Sequence, residues 1–389
     1  MRAGLLGRRL GHSLSPQMHR FFGDYEYRLY EREPEAVESF VRSSGLDLLN
    51  VTIPYKKTVA AICDELTPLA ERLGNVNLVT RLADGRLRGD NTDYFGFSRL
   101  LDSVCDSAGL PRVAAVLGAG GAATTAKTVL EDRGVEVVIV GRGETPPPDA
   151  GLIVNATPVG MYPDVDGRRI DITGFPSCGM VLDLVYNPSP TRLVREALES
   201  GRAAADGMVM LIAQAYRAYL IASGDRAPSG NLYLYGPPAS GKTTWARRLA
   251  SATGMPLVDV DAEIVKGEGR PIADIFAADG EAAFRRIERE TLARVASAGG
   301  QVVALGGGAL LDEESRRLAE TTGRVVLLKC PEKELLRRAA ASSERPLLAG
   351  DSAERLRALL AARRRHYESF AVTVDAGGGL PAESREGGA

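Results

Sequence analysis

Gly118-Ala119-Gly120-Gly121-Ala122-Ala123 and Gly236-Pro-Pro-Ala-Ser-Gly241-Lys242-Thr243 are two glycine-rich turns of different kinds in one chain of 389 residues. The first follows the apolar run Val113–Leu117 and has the form of a dinucleotide fingerprint. The second follows Leu232–Tyr235 and has the GxxxxGK[ST] form of a Walker A loop. One fold rarely needs both, so the pair predicts two nucleotide sites and two reactions. In the first turn Gly118, Ala119, Gly120, Gly121 and Ala122 would carry a pyrophosphate at a helix N-terminus. In the second, the backbone of Pro238, Ala239, Ser240 and Gly241 would face ATP phosphates. Lys242 would neutralise β/γ charge there, and Thr243 would ligate Mg²⁺.

Around these turns, short β-branched runs alternate with helical segments, which reads as α/β. Expected strands are Arg2–Leu6, Leu48–Ile53, Val113–Leu117, Val135–Val140, Leu152–Asn155 and Val181–Leu184. After a break come Leu232–Tyr235, Pro256–Asp259, Gln301–Leu305 and Arg324–Lys329. The polar, turn-rich stretch from Ala222 to Gly230 marks the boundary. The expected organisation is a first enzyme over 1–222, a linker over 223–229, a second enzyme over 230–376 and a disordered tail over 377–389. Within the first, a substrate lobe of about 1–100 plus the C-terminal helix would flank a Rossmann-like lobe of about 108–205.

Composition is that of an ordinary globular protein, with 44% hydrophobic and 25% charged residues. A formal net charge of −2 makes no electrostatic case for nucleic acid. No apolar run is long enough to span a bilayer and no signal-peptide core is visible, so a cytoplasmic setting is expected. Cys63, Cys105, Cys178 and Cys330 are widely separated, and with three histidines a dedicated zinc site is not expected. The expected partners are small-molecule substrates, with no nucleic acid and no membrane. The sequence leaves oligomeric state open.

Upstream of the first turn lie segments rich in small hydrogen-bonding groups: His12-Ser13-Leu14-Ser15-Pro16, Asn50-Val51-Thr52-Ile53-Pro54-Tyr55-Lys56 and Gly89-Asp90-Asn91-Thr92-Asp93. Together they supply the hydroxyls, amides, ammonium and carboxylate that a polyhydroxylated acid needs. With Val76-Asn77, Asn155-Ala-Thr-Pro-Val-Gly160-Met161, Asp183-Leu-Val-Tyr186-Asn-Pro and the run Asp206–Gln214, residues 1 to about 222 closely resemble shikimate dehydrogenases. The resemblance implies that Ser13 and Ser15 bind the substrate carboxylate, while Thr52, Asn77, Tyr186 and Gln214 line the rest of the site. Lys56 and Asp93 would form the catalytic dyad, with Asp93 also touching substrate. Leu184 and Gly207 would join the glycine turn in binding NADP.

The chain departs from that family at one point. After the second cofactor strand it runs Gly141-Arg142-Gly143-Glu144-Thr-Pro-Pro-Pro-Asp-Ala-Gly151 and goes directly to the next strand. A crossover needs about 10–12 residues including its helix, and a triple proline will not make one. A helix is therefore expected to be missing. Arg142 would pair with a 2′-phosphate and favours NADP, while Glu144 keeps NAD open.

In the second half, Asp259-Val-Asp261, Phe284-Arg285-Arg-Ile-Glu288, Gly306-Gly307-Gly308, Arg345-Pro-Leu-Leu and Arg363-Arg-Arg-His-Tyr367 follow the Walker A loop in order. This order resembles shikimate kinases over 230 to about 376. The resemblance implies that Asp261 holds the substrate hydroxyls and accepts a proton, and that Asp259 helps hold Mg²⁺ with Thr243. Arg285 and Arg363 would clamp the carboxylate beside Gly307, and Arg345 would close over ATP. The whole reads as a bifunctional oxidoreductase and kinase using NADP(H), ATP and Mg²⁺ in aromatic amino acid and chorismate synthesis. It would reduce 3-dehydroshikimate and then phosphorylate shikimate. Two alternatives stay open: a first half that prefers quinate, or a catalytically inactive first half regulating an active kinase.

Overall fold

The computed structural model describes residues 1–11, 13–105, 109–168, 170–340 and 352–377. The chain divides into two compact units, Met1–Ala227 and Pro228–Gly377. Among the described residues no helix is long and apolar enough to cross a membrane, and the four cysteines are free.

The first unit holds two sheets. One is mixed, built from β1 (Arg2–Gly7), β2 (Glu26–Glu31), β3 (Leu48–Val51), β4 (Glu65–Leu66), β5 (Leu78–Arg81) and β6 (Leu87–Asp90) in the order β2-β1-β3-β5-β6-β4. β5 runs antiparallel to both its neighbours, β3 and β6. The strand expected over Leu48–Ile53 stops at Val51: the Thr52 N–H makes the last ladder bond to β1, on the Leu6 carbonyl at 2.9 Å, and Ile53 swings out to 77% exposure. That early stop places Lys56 at the start of the helix Lys56–Ile62.

The second sheet is wholly parallel, with β7 (Val113–Leu117), β8 (Glu136–Val140), β9 (Leu152–Asn155), β10 (Met180–Asp183) and β11 (Ala203–Asp206) in the order β11-β10-β9-β7-β8. Strand order reverses between β7 and β9, the switch point at which doubly wound sheets bind ligands. Residues 141–151 form no helix or strand. β8 is consequently an edge strand, and Val138 and Ile139, on its two opposite faces, are each 36% exposed.

The second unit is a parallel sheet of β12 (Asn231–Tyr235), β13 (Leu257–Asp259), β14 (Val302–Ala304), β15 (Gly323–Lys329) and β16 (Thr373–Asp375), ordered β13-β14-β12-β15-β16. β12 is central and buried at all five residues, and the glycine loop leaves its C-terminal end. Tyr233, Tyr235, Val260, Phe284, Leu292, Val303 and Leu327 form the core against which this loop is held.

Candidate active sites

In the first unit, Lys56 and Asp93 each open a helix, Lys56–Ile62 and Asp93–Asp102. Lys56 Nζ donates to Asp93 Oδ2 at 2.5 Å, with the side chains 19% and 10% exposed. The other carboxylate oxygen accepts from Asn77 Nδ2 at 2.8 Å, and Asn77 Oδ1 accepts the Thr92 N–H at 2.7 Å. Asn91 Oδ1 caps the helix by accepting from Asp93 N at 3.0 Å. Asp90 Oδ1 accepts from Thr67 Oγ1 at 2.8 Å. The Thr92 hydroxyl also bonds Asn77, so every polar side chain of the run from Asp90 to Asp93 is partnered and the sum of them fixes one carboxylate on one ammonium.

Of the other expected residues, Thr52 and Gln214 lie on the elements that carry this pair, and Ser13 and Ser15 bond one another. Thr52 begins the turn that delivers Lys56, its carbonyl accepting from Tyr55 N at 3.0 Å. Gln214 lies on the helix Met208–Ala222, which packs on Asp93's helix at Gly96, where an added Cβ would stand 2.8 Å from the Met210 carbonyl oxygen and 3.3 Å from Gln214 Cβ. Ser13 Oγ donates to Ser15 Oγ at 3.2 Å. Tyr186 makes no direct bond to the dyad among the described residues, and burial pushes its phenol up. Sequence reasoning missed a supporting layer: Tyr27 donates to Asn50 Oδ1 at 2.9 Å, and His19 stacks on Tyr27 with ring centroids 4.1 Å apart. Burial lowers His19 to about 3, so its ring is neutral. An aromatic and a histidine read from sequence as ordinary core, and no local signal distinguishes them.

At the switch point, Gly118 has φ of +117° and donates its N–H to the Val140 carbonyl at 3.0 Å. An added Cβ there would meet the Ala156 carbonyl at 3.2 Å, so the turn lies against the segment after β9. Ala119 and Gly120 are exposed and Gly121 and Ala122 open the helix Gly121–Asp132. A Cβ on Gly120 or Gly121 would meet nothing within 4 Å, which leaves room for a pyrophosphate. Gly207 abuts the Leu184 backbone, so those two residues share one wall. Arg142 is exposed and makes no hydrogen bond or ion pair among the described residues.

In the second unit, Gly236, Ala239 and Gly241 adopt φ of +144°, +63° and +89°. Such alternation curls the loop so that its amides can face an anion. Pro238 packs on the next glycine turn, and Ser240 Oγ is buried without a partner inside the loop. Lys242 Nζ donates to the carbonyls of Gly236 and Pro237 at 2.9 and 3.0 Å, and Thr243 Oγ1 donates to Asp259 Oδ2 at 2.8 Å. Two hard oxygen donors beside a phosphate loop fit Mg²⁺, which keeps most of its waters and takes few protein ligands. Arg338, which sequence reasoning missed, donates to the Ser240 carbonyl at 3.3 Å.

The turn Gly306–Gly308 is where the residues expected to bind substrate meet. A Cβ on Gly306 would stand 2.6 Å from Glu288 Oε1 and 3.2 Å from Asp261 Oδ1. One on Gly307 would meet Pro238 at 3.2 Å, and one on Gly308 would meet Arg285 at 2.9 Å. A side chain at Gly306 or Gly308 would push the Glu288 carboxylate or the Arg285 guanidinium aside. The Gly307 carbonyl accepts from Tyr367 OH at 2.8 Å and Arg363 Nη1 at 3.1 Å. Arg364 instead pairs with exposed Glu368. Glu288 is 3% exposed and bonds Arg285 at 2.6 Å. Its carboxyl is pushed up by burial, against the pull of Arg285. Arg345 lies outside the described residues, as do 378–389.

A shikimate dehydrogenase (NADP(+)) of Methanopyrus kandleri is 36% identical over 266 residues, covering 58% of this chain and 91% of that protein. The chain belongs to the shikimate dehydrogenase family. Residues 5–79 match the model of the shikimate dehydrogenase substrate binding domain. Solved shikimate dehydrogenases agree in fold. The Peptoclostridium difficile structure aligns with TM-score 0.52 at 31% identity, covering 58% of this chain and 92% of that one. The Thermus thermophilus structure, in complex with NADP(H) and shikimate, aligns with TM-score 0.51 at 33% identity, covering 58% and 94%. Residues 238–385 match the shikimate kinase model. The chain is a fusion of the two.

Proposed function

We propose that the unit 1–227 reduces 3-dehydroshikimate to shikimate and that the unit 228–377 phosphorylates the hydroxyl so made. Bound NADPH supplies the hydride. Lys56 delivers a proton to the carbonyl oxygen as charge develops there, and Asp93 holds the ammonium in line. Ser13 and Ser15 receive the substrate carboxylate, and Asn77, Thr52, Tyr186 and Gln214 orient the ring. The observation that carries this half is the Lys56–Asp93 contact at 2.5 Å, buttressed by Asn77.

In the second unit, Arg285 and Arg363 clamp the same acid's carboxylate, the Gly307 backbone bounds it, and Asp261 accepts the proton of the attacking hydroxyl. Lys242 and the loop amides position ATP phosphates, and Thr243 with Asp259 holds Mg²⁺. Four free thiols support placing these steps in a reducing compartment, the cytoplasm.

Segregation of the two activities tests the reading. Lys56→Met should remove reduction and leave phosphorylation of added shikimate, and Lys242→Met should do the reverse. Joint loss from either change would overturn it. The bare face of β8 favours a second reading, in which the first unit is an inactive regulator. Under that reading, titration of nucleotide fluorescence shows no NADPH binding.

A further inference from the structure

Beside the Gly306–Gly308 turn runs a chain of hydrogen bonds that the proposed reaction leaves unused. The Gly307 carbonyl accepts from Tyr367 OH at 2.8 Å and from Arg363 Nη1 at 3.1 Å. Tyr235, the last residue of β12, has its hydroxyl 3.4 Å from the same oxygen and 3.0 Å from His366 Nε2. Arg363, His366 and Tyr367 share the helix Ser352–Glu368. Ring contacts hold the histidine in place: its centroid lies 5.6 Å from that of Tyr235 at 89°, and 5.2 Å from that of Phe370.

Tyr235 therefore has one proton for two acceptors. A carbonyl oxygen offers two lone pairs, and Tyr367 and Arg363 already take those of Gly307. The shorter path runs to His366 Nε2, which accepts when the neutral ring carries its proton on Nδ1. Burial pushes the Tyr235 and Tyr367 phenols up, so both keep their protons. Once His366 is protonated, Nε2 becomes a donor. The Tyr235 proton then turns to the Gly307 carbonyl, as a third donor competing with Arg363.

The charges around His366 disfavour that second form. Burial, then Arg316 from the helix Glu313–Thr322 and Arg363 from its own helix, lower its pKa below 6.5. Glu313 and Glu320 line the groove that the ring adjoins, but Arg317 and Arg316 pair with them. Glu288 and Arg285 act on Tyr235 from the helix Ile272–Ala298, and they pair with each other.

We propose that His366 is a positioning residue of the kinase site: its Nε2 takes the Tyr235 hydroxyl proton and so leaves the Gly307 carbonyl to hold Arg363, the guanidinium assigned to the shikimate carboxylate. This rests on the kinase reading of the second unit. Anchored through one N–H, the Arg363 fork keeps its other donors for the ligand. Loss or protonation of the histidine acceptor should weaken shikimate binding rather than phosphoryl transfer, by several-fold up to about tenfold for one hydrogen bond.

The test measures KM for shikimate, KM for ATP and kcat of phosphorylation by the full-length chain, from about pH 5 to about pH 8. In the unmodified protein KM for shikimate should rise as pH falls. His366→Gln keeps an acceptor but does not titrate, so its KM should match the unmodified value at high pH and rise less on acidification. Glu288, whose carboxyl burial pushes up, adds a pH dependence that all variants share, so the comparison is between proteins. His366→Leu should raise KM for shikimate several-fold across the range with kcat nearly unchanged, and an unaltered KM for ATP reports that the unit is folded. Tyr235→Phe removes the competing proton, and adding it to His366→Leu should restore KM, a rescue that a merely structural histidine would not show. Unchanged KM in His366→Leu, or no rescue by Tyr235→Phe, would overturn the proposal and leave the kinase reading in place. Should His366→Leu not fold, an acid rise in His366→Gln as steep as the unmodified protein's would overturn it equally. No phosphorylation of shikimate by the unmodified protein at any pH would remove the kinase reading itself, and the proposal with it.

Discussion

Arg285 Nη1 stands 2.6 Å from Glu288 Oε2, and that carboxylate is buried to 3% exposure beneath the glycine turn at 306–308. A buried carboxylate that holds the guanidinium proposed to clamp shikimate sets where the fork points. Glu288→Gln keeps a hydrogen bond but not the charge. It should raise KM for shikimate in the kinase reaction about tenfold with a smaller change in kcat, and leave reduction untouched. Steady-state kinetics of both reactions on the one variant checks this.

Gly207 meets the Leu184 carbonyl oxygen so closely that any Cβ would collide with backbone. Gly207→Ala should cost about 1–3 kcal/mol of stability in the first unit. It should also raise KM for the dinucleotide if, as proposed, both residues line the cofactor crevice. Urea titration of the dehydrogenase activity, with kinase activity as an internal control, measures the first effect.

Asp183 is buried and accepts from Thr191 Oγ1, Asn155 Nδ2 and Val185 N. Burial nevertheless pushes its carboxyl up to about 6, against the pull of those donors. A folded pKa raised above the unfolded value gives stability that is full below the unfolded pKa and is lost as pH rises through the folded one. Relative to Asp183→Asn, the unmodified protein should lose up to about 3 kcal/mol between roughly pH 4 and pH 7. Urea midpoints of the two proteins across that range supply the comparison.

Trp245 is the single tryptophan of the chain and sits on the helix that opens with Lys242. A Cβ on Gly241 would stand 3.9 Å from its indole ring. MgATP should change the tryptophan emission, and Lys242→Met should abolish that change at the same nucleotide concentration.

Much of this was legible in the chain. Val113–Leu117 and Leu232–Tyr235 are buried parallel strands, and continuous apolar runs announce them. β2 was not legible: its sequence Glu-Tyr-Arg-Leu-Tyr-Glu belongs to an edge strand that carries charge on both faces, and only its two tyrosines are half-buried. The missing crossover helix followed from Pro146-Pro147-Pro148, but the exposure of β8 at Val138 and Ile139 needed coordinates. Glu288 escaped because a carboxylate three residues from an arginine on a helix looks like a surface pair. Only its burial, and the approach of Gly306, separate it from one.

The most direct test of the two-step function is nicotinamide absorbance after 3-dehydroshikimate is added to purified protein, with and without MgATP. Rapid NADPH oxidation is expected, followed in the presence of MgATP by formation of one shikimate 3-phosphate for each NADPH consumed. No oxidation with either NADPH or NADH, alongside intact phosphorylation of added shikimate, would contradict the dehydrogenase half and leave a kinase joined to a silent partner.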